Sequence, residues 1–315
     1  MPESFFILSK DYPEIAIDEI ISIAKMYDRF SKIKTISNLV IVQSKTHWEE
    51  ISKRATFVKV SGQILRKMSG LFLDEENFEV LKNANTFVCR IINLSSNQFN
   101  IPELENSMGD MISKFSKAKV SLENPDITVY LIFTENENFF GFSKRTPELI
   151  RPKKLRKHPH ELDWKLTRAM INLAGLYEGE TVCDPFCGTG TTLLEAESMG
   201  IHGIGLDFDE KMYQMSKENL DANGYKSRLF KDDFTALQKI TGEIDGIVTD
   251  LPYGRASKAS ENPEEILKKF VAILPKKKKI ALMCKKGFEK KLKINPLKKY
   301  EIYRHKSLTR VILIK

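Results

Sequence analysis

The sequence predicts two kinds of α/β architecture, an α+β region in the N-terminal half and a doubly wound parallel sheet in the C-terminal half. Three observations predict them. After Asp163, helical stretches alternate strictly with buried apolar runs; before it, strands and helices mix without that regularity; and a stretch rich in Lys, Arg and Pro over 144–157 separates the two patterns. A chain of 315 residues is long enough for two or three compact units, each able to bury a core.

The N-terminal elements come first. Ser4, Phe5, Phe6, Ile7 and Leu8 read as a strand, and Ile15, Ile20, Ile21 and Ala24 recur at near-helical spacing. A second strand over 39–42 and a second apolar periodicity at Trp48, Ile51 and Ala55 complete a small α+β unit. Next come a strand over 87–92 and a helix over 104–115 with Pro102 near its first turn. Two extended runs, 127–133 and 139–142, are separated by the polar turn 135–138. Arg145, Pro147, Arg151, Pro152, Lys153, Lys154, Arg156 and Lys157 then read as a linker.

In the C-terminal half a helix is predicted over 164–176, with strands over 181–183, 203–206, 228–230, 246–249 and 280–283. Two closing runs, 300–304 and 310–314, are joined too tightly for a helical crossover. A parallel pair needs a connection of a dozen residues or more, so these two are expected to be antiparallel neighbours.

Composition narrows the classes. Fifty basic residues against 42 acidic ones give a net charge of +8, which favours a polyanionic partner. Lysine clusters at 268–269, 276–279, 285–286, 290–291 and 298–299 could track phosphates, although a solvated face explains any single lysine more simply. Cysteines at 89, 183, 187 and 284 form no secreted-type framework, and a reducing, cytoplasmic setting is expected. Cys183 and Cys187 lack a second pair to complete a zinc site, so no metal is expected. Residues 1–10 carry no leader pattern and no apolar run approaches a membrane span.

Two motifs carry chemistry. The strand ending in Cys183 runs into Asp184-Pro185-Phe186-Cys187-Gly188-Thr189-Gly190-Thr191, and a helix follows at once. Glycines permit a sharp turn and close approach of a ligand, and the helix start offers unpaired N–H groups. Any strand-to-helix turn favours glycine, but here Asp207 ends the next strand where a carboxylate can accept ribose hydroxyls, and Asp232-Asp233 follows the third. An acid opening the loop would repel a pyrophosphate and suits a cationic cofactor with an amino acid moiety. The expected cofactor residues are Asp184, Phe186, Gly188, Gly190, Thr191, Asp207, Phe208, Asp233 and Phe234. His158 is added to them, although it and His160 fit a plain turn equally well.

The second motif is Asp250-Leu251-Pro252-Tyr253-Gly254-Arg255 after the fourth strand. An aryl amine is a poor nucleophile because its lone pair is delocalised into the ring. Asp250 and the backbone carbonyl of Leu251 can each accept one amine hydrogen and so localise that pair. Pro252 stiffens the loop and Tyr253 can stack on a base. Asp250, Leu251, Pro252 and Tyr253 are the expected catalytic residues; Arg151, Lys153, Arg255 and Arg310 are candidate substrate contacts.

The Asp184 loop resembles the first motif of S-adenosylmethionine-dependent methyltransferases, and Asp250 to Tyr253 resembles the Asp/Asn-Pro-Pro-aromatic motif of those acting on planar amines, with Leu251 in place of the usual proline. With Arg151-Pro152, the 158–163 segment and the tail 305–310, nearly the whole chain is similar to archaeal-type tRNA guanine-N2 methyltransferases acting at position 10. The resemblance implies a Rossmann-like methyltransferase domain over 164–315, a ferredoxin-like domain over 1–64, a THUMP domain over 65–146 around Val120 to Asp126, and a linker over 147–163. It also implies S-adenosylmethionine as cofactor, tRNA as partner, and N2-methyl- and N2,N2-dimethylguanosine as products. A small activator subunit is compatible with the sequence. The alternatives are an amino-methyltransferase for another tRNA position, another RNA, DNA or protein, and a non-catalytic RNA-binding protein with a decayed methyltransferase domain.

Overall fold

The computed structural model describes residues 1–315 apart from 69–74, 145–148, 150, 160, 253–262, 293 and 306–307. Two compact units are present, one made of 1–13, 27–53 and 57–148, the other of 14–26, 54–56 and 149–315.

The first unit is built on one mixed sheet of eight strands: β1 (Glu3–Leu8), β2 (Lys32–Ile36), β3 (Leu39–Gln43), β4 (Val58–Met68), β5 (Thr86–Asn93), β6 (Lys119–Val120), β7 (Ile127–Phe133) and β8 (Asn138–Lys144). Their order is β2-β3-β1-β4-β8-β7-β5-β6, so the boundary expected at 64/65 falls inside β4, a strand shared by both halves of the sheet. Side chains alternate across the pleat and make two cores. One gathers Phe87, Cys89, Val129 and Leu131 with Met108 and Ile112 of a helix at Ile101–Phe115, and the other gathers Phe5, Ile41, Ile64, Tyr130 and Phe139.

The second unit contains α1 (Pro13–Tyr27), α4 (Trp164–Leu173), α5 (Thr191–Ser198), α6 (Glu210–Asp221), α7 (Leu237–Ile240) and α8 (Pro263–Ile273), numbered after α2 (Trp48–Arg54) and α3 (Ile101–Phe115). Its strands are β9 (Thr181–Asp184), β10 (His202–Leu206), β11 (Arg228–Phe230), β12 (Gly246–Asp250), β13 (Lys279–Lys285), β14 (Lys298–His305) and β15 (Leu308–Ile314). They are ordered β11-β10-β9-β12-β13-β15-β14. The first five are parallel; β14–β15 pair antiparallel, as the short connection between them requires, and β13–β15 pair antiparallel as well. The chain steps outward from β9 through β10 to β11 and then returns to place β12 on the other flank of β9. That reversal opens a crevice at the carboxyl ends of β9 and β12, where doubly wound sheets bind ligands.

Helix α1 joins this unit through a buried polar cluster. Glu19 is fully buried on the same face as Ile15, Ile20, Ile23 and Ala24. Its carboxylate accepts from Thr56 N (3.0 Å), Thr56 Oγ1 (2.6 Å) and Asn172 Nδ2 (2.8 Å). Arg54 Nε donates to Asn172 Oδ1 at 2.8 Å, and Arg168 donates to Arg54 O at 3.1 Å and to Glu195 at 3.2 Å. Each buried charge has hydrogen-bonded company, which burial of ions demands.

Candidate active site

The crevice is a cleft of about 1330 Å³. Four strand ends or post-strand turns deliver carboxylates to it: Asp184 from β9, Asp207 after β10, Asp232 and Asp233 after β11, and Asp250 from β12.

Asp184 is buried, with its Oδ1 accepting Thr249 Oγ1 at 2.6 Å and Phe186 N at 3.1 Å. Burial pushes its carboxyl up to about 6, against the hydrogen bonds from Thr192, Thr249 and Phe186; the negative field of Asp207 adds to the rise. A carboxyl perturbed in this way, in a cleft, is a candidate functional position. The loop beyond it turns through Gly188 (φ +52) and Gly190 (φ +81), a backbone region that side chains rarely adopt. At Gly190, the residue before α5, a Cβ would stand 2.4 Å from Ser216 Oγ. Gly188 lines the cleft, and a Cβ there would meet nothing within 4 Å.

Asp207 holds the loop. Its Oδ2 accepts Gly188 N and its Oδ1 accepts Asp209 N, both at 2.9 Å, while burial raises its carboxyl above the usual range. Asp209 caps α6 in turn. Asp233 caps the short turn at Phe234–Ala236 by accepting Thr235 N at 2.9 Å. Phe234 packs against Phe186, with ring centroids 5.4 Å apart, and against Phe270 at 6.0 Å. Phe186 and Phe234 pack with the core and also line the cleft, whereas Phe270 lies in the core.

At the end of β12, Leu251 is buried and its N–H is tied to Met283 O at 2.8 Å. Pro252 also lines the cleft. Asp250 Oδ2 accepts Arg310 Nη1 at 3.0 Å, so Arg310 touches the motif's acid directly.

Of the expected cofactor residues, His158, Asp184, Phe186, Gly188, Thr191, Asp207, Phe208, Asp233 and Phe234 line this one cleft, and Gly190 shapes the turn behind it. Asp250, Leu251, Pro252, Arg151 and Arg310 line it too. Arg151 lies over the Trp164 ring at 4.2 Å. Lys153 is not in the lining; its backbone pairs with Asn223 through bonds of 2.7 and 2.6 Å. Tyr253, Arg255 and His160 fall outside the described residues.

The segment expected as a linker behaves differently where it is described. Asn223 and Asn219 of the α6 region bind the backbones of Lys153 and Arg156, which lays 151–159 along the cleft. Two residues outside the expected set thereby enter the site. Lys154 Nζ lies 2.9 Å from Glu161 and also donates to Thr191 Oγ1, while Glu161 accepts His158 N at 3.0 Å and Thr189 Oγ1 at 3.1 Å. Burial lowers the Lys154 ammonium below its ordinary value.

The family model for RMKL-like methyltransferase domains matches residues 151–309, and a model described as DNA methylase matches 2–218, ending before β12. A tRNA (guanine(10)-N2)-dimethyltransferase of Methanocaldococcus jannaschii is 26% identical over 98% of this chain and 97% of its own. One of Methanothermobacter thermautotrophicus is 29% identical over 85% and 83%. The crystal structure of TrmN from Thermus thermophilus superposes with a TM-score of 0.61 at 19% identity, covering 100% of this chain and 99% of that one. That likeness is one of fold.

Proposed function

We propose a function from one premise: the chain belongs to the RMKL-like methyltransferase domain family. It is a methyltransferase, and our reading is that it methylates the exocyclic amine of guanosine 10 in tRNA, giving N2-methyl- and then N2,N2-dimethylguanosine. The observation that carries the chemistry is the convergence of Asp184, Asp207 and Asp250 on one cleft at the strand-order reversal, and the substrate is argued from the likeness to tRNA (guanine(10)-N2)-dimethyltransferases.

The cleft suits S-adenosylmethionine by its donor set. Acids at successive strand ends match a ligand that is cationic at one end and rich in hydroxyls at the other, and Gly188 leaves the loop open to close approach. Asp184 would face the ammonium end, Asp207 the ribose, and Asp233 with Phe234 the adenine. When bound, the cofactor supplies an electrophilic methyl group on a sulfonium.

The chain's own residues prepare the nucleophile. Asp250 and the Leu251 carbonyl accept the two amine hydrogens of guanine and turn its lone pair towards the methyl donor. The fixed bond from Leu251 N to Met283 O supplies rigidity that a second proline would otherwise give. The N-terminal unit serves as the tRNA grip, a role that rests on the sequence resemblance of 1–64 and 65–146 to ferredoxin-like and THUMP modules, while the basic excess of the chain lies in its C-terminal part and would meet the phosphates there.

The test is incubation with unmodified tRNA transcript and labelled S-adenosylmethionine, followed by nucleoside mass spectrometry and mapping. N2-methylated guanosine at position 10 is expected. Methylguanosine elsewhere would discard the position, and transfer to duplex DNA in a parallel reaction, with none to tRNA, would overturn the substrate reading in favour of the DNA methylase likeness.

A further inference from the structure

We infer that Arg310 is a positioning residue for the Asp250 carboxylate, delivered to it by the closing antiparallel hairpin; the inference rests on the amine-activating role proposed for Asp250.

The sheet explains how residues 60 positions apart meet. Asp250, the last residue of β12, pairs in register with Met283 of β13. Because β15 runs antiparallel to β13, its first residues lie beside the carboxyl end of β13, and Arg310 stands opposite Lys285. A parallel last strand would have placed its start at the opposite edge. From there the guanidinium reaches across Met283, with Nη1 3.4 Å from Sδ, to Asp250 Oδ2 at 3.0 Å.

Arg310 is only 7% exposed. Burying a guanidinium carries a desolvation penalty that pairing offsets incompletely, and an apolar pair commonly serves a fold as well. An ion pair in the lining of a cleft is therefore better explained by what it does there. The guanidinium is planar, always charged and held by its own burial, so its Nη1 restrains the Oδ2 end of the carboxylate. A carboxylate has about four lone-pair sites, so a bond at Oδ2 still leaves it able to accept an amine hydrogen. Arg310 thus aims Asp250 without touching the reacting nitrogen.

The test compares wild type, Arg310→Met, Arg310→Lys, Asp250→Asn and the double variant Arg310→Met/Asp250→Asn. Arg310→Met should lower kcat by roughly 10²-fold, the scale of a small misplacement of a catalytic group, with KM for tRNA and cofactor affinity held. Arg310→Lys, which keeps the charge and loses the fork, should recover part of kcat, and it keeps the idea testable should the methionine variant fold poorly. In the Asp250→Asn background the arginine change should have no further effect. An unchanged kcat, a raised KM for tRNA with kcat intact, or multiplicative losses in the double variant would each overturn the inference; the second would make Arg310 a substrate contact. Failure of the wild type to methylate tRNA would instead reject the substrate reading, and the same proteins in a denaturant titration would still decide the pair: loss of either partner should destabilise at least as much as loss of both, and additive losses would sink it.

Discussion

Replacing Asp184 by Asn should make the protein more stable at neutral pH and worse at its work. The buried carboxyl titrates at about 6 instead of 3.8 because burial disfavours its charge. At about 1.4 kcal/mol per pH unit, ionising it in the folded state costs ~3 kcal/mol more than in the unfolded chain. The sign follows from the raised value: the folded protein holds the proton more tightly, so this group's stabilising contribution is complete below about pH 4 and is lost as pH rises through about 6. Asparagine keeps the shape, can accept from Thr249 and Phe186, and carries no charge to desolvate. Urea titrations across that range should show the variant's advantage over wild type growing by up to ~3 kcal/mol between about pH 4 and pH 7.5. Calorimetric titration with S-adenosylmethionine should show roughly 10- to 100-fold weaker binding, the worth of a charge-assisted hydrogen bond. A stability difference that stays flat with pH, or undiminished cofactor affinity, would refute the account.

Asp250→Asn should reduce kcat by about 10²- to 10⁴-fold while cofactor and tRNA affinities hold, as single-turnover and binding assays would show. Gly190→Ala combines a left-handed backbone with a Cβ 2.4 Å from Ser216 Oγ, so a loss of ~2–3 kcal/mol is expected by denaturant titration. Glu19→Ala strips the acceptor from Thr56 N, Thr56 Oγ1 and Asn172 Nδ2, and should cost ~3–5 kcal/mol, measured by the same titration, although Glu19 lies far in sequence from every motif of the cleft.

Much of the catalytic unit was legible because its strands are short apolar runs between turn signals. The runs over 181–183 and 246–249 lie within β9 and β12, and the acids that follow them lie where a doubly wound sheet gathers ligands. The N-terminal sheet was harder to read. Strand β2, Lys-Ile-Lys-Thr-Ile, is an edge strand whose charges protect it from further pairing, and the same charges mask its pattern. Strand β4 carries Lys59, Arg66 and Lys67 among its apolar residues and was hidden likewise. In the cleft, Lys154 and Glu161 escaped because nothing local distinguishes them; they enter through side-chain bonds that Asn219 and Asn223 make to the backbone of 153–156. The partnership of Arg310 with Asp250 depends on strand register, a property of the sheet and of no single segment.

The division of the chain between its two units bears on its synthesis. The catalytic unit draws on 14–26 and 54–56 as well as on 149–315, so the polypeptide passes from one unit to the other at 13/14, 26/27, 53/54, 56/57 and 148/149. On the ribosome, Glu19 and Arg54 emerge more than a hundred residues before Asn172, which binds them both. Domains usually fold as units, N-terminal first, during translation. Here the strands of the first unit can pair early, and Thr56 can reach Glu19 of α1 early too, but the same carboxylate waits for Asn172 until α4 has been made. The newborn chain therefore carries α1 with its polar cluster incomplete until α4 emerges, and removal of residues 1–148 would cut into the catalytic body as well as release a separate module.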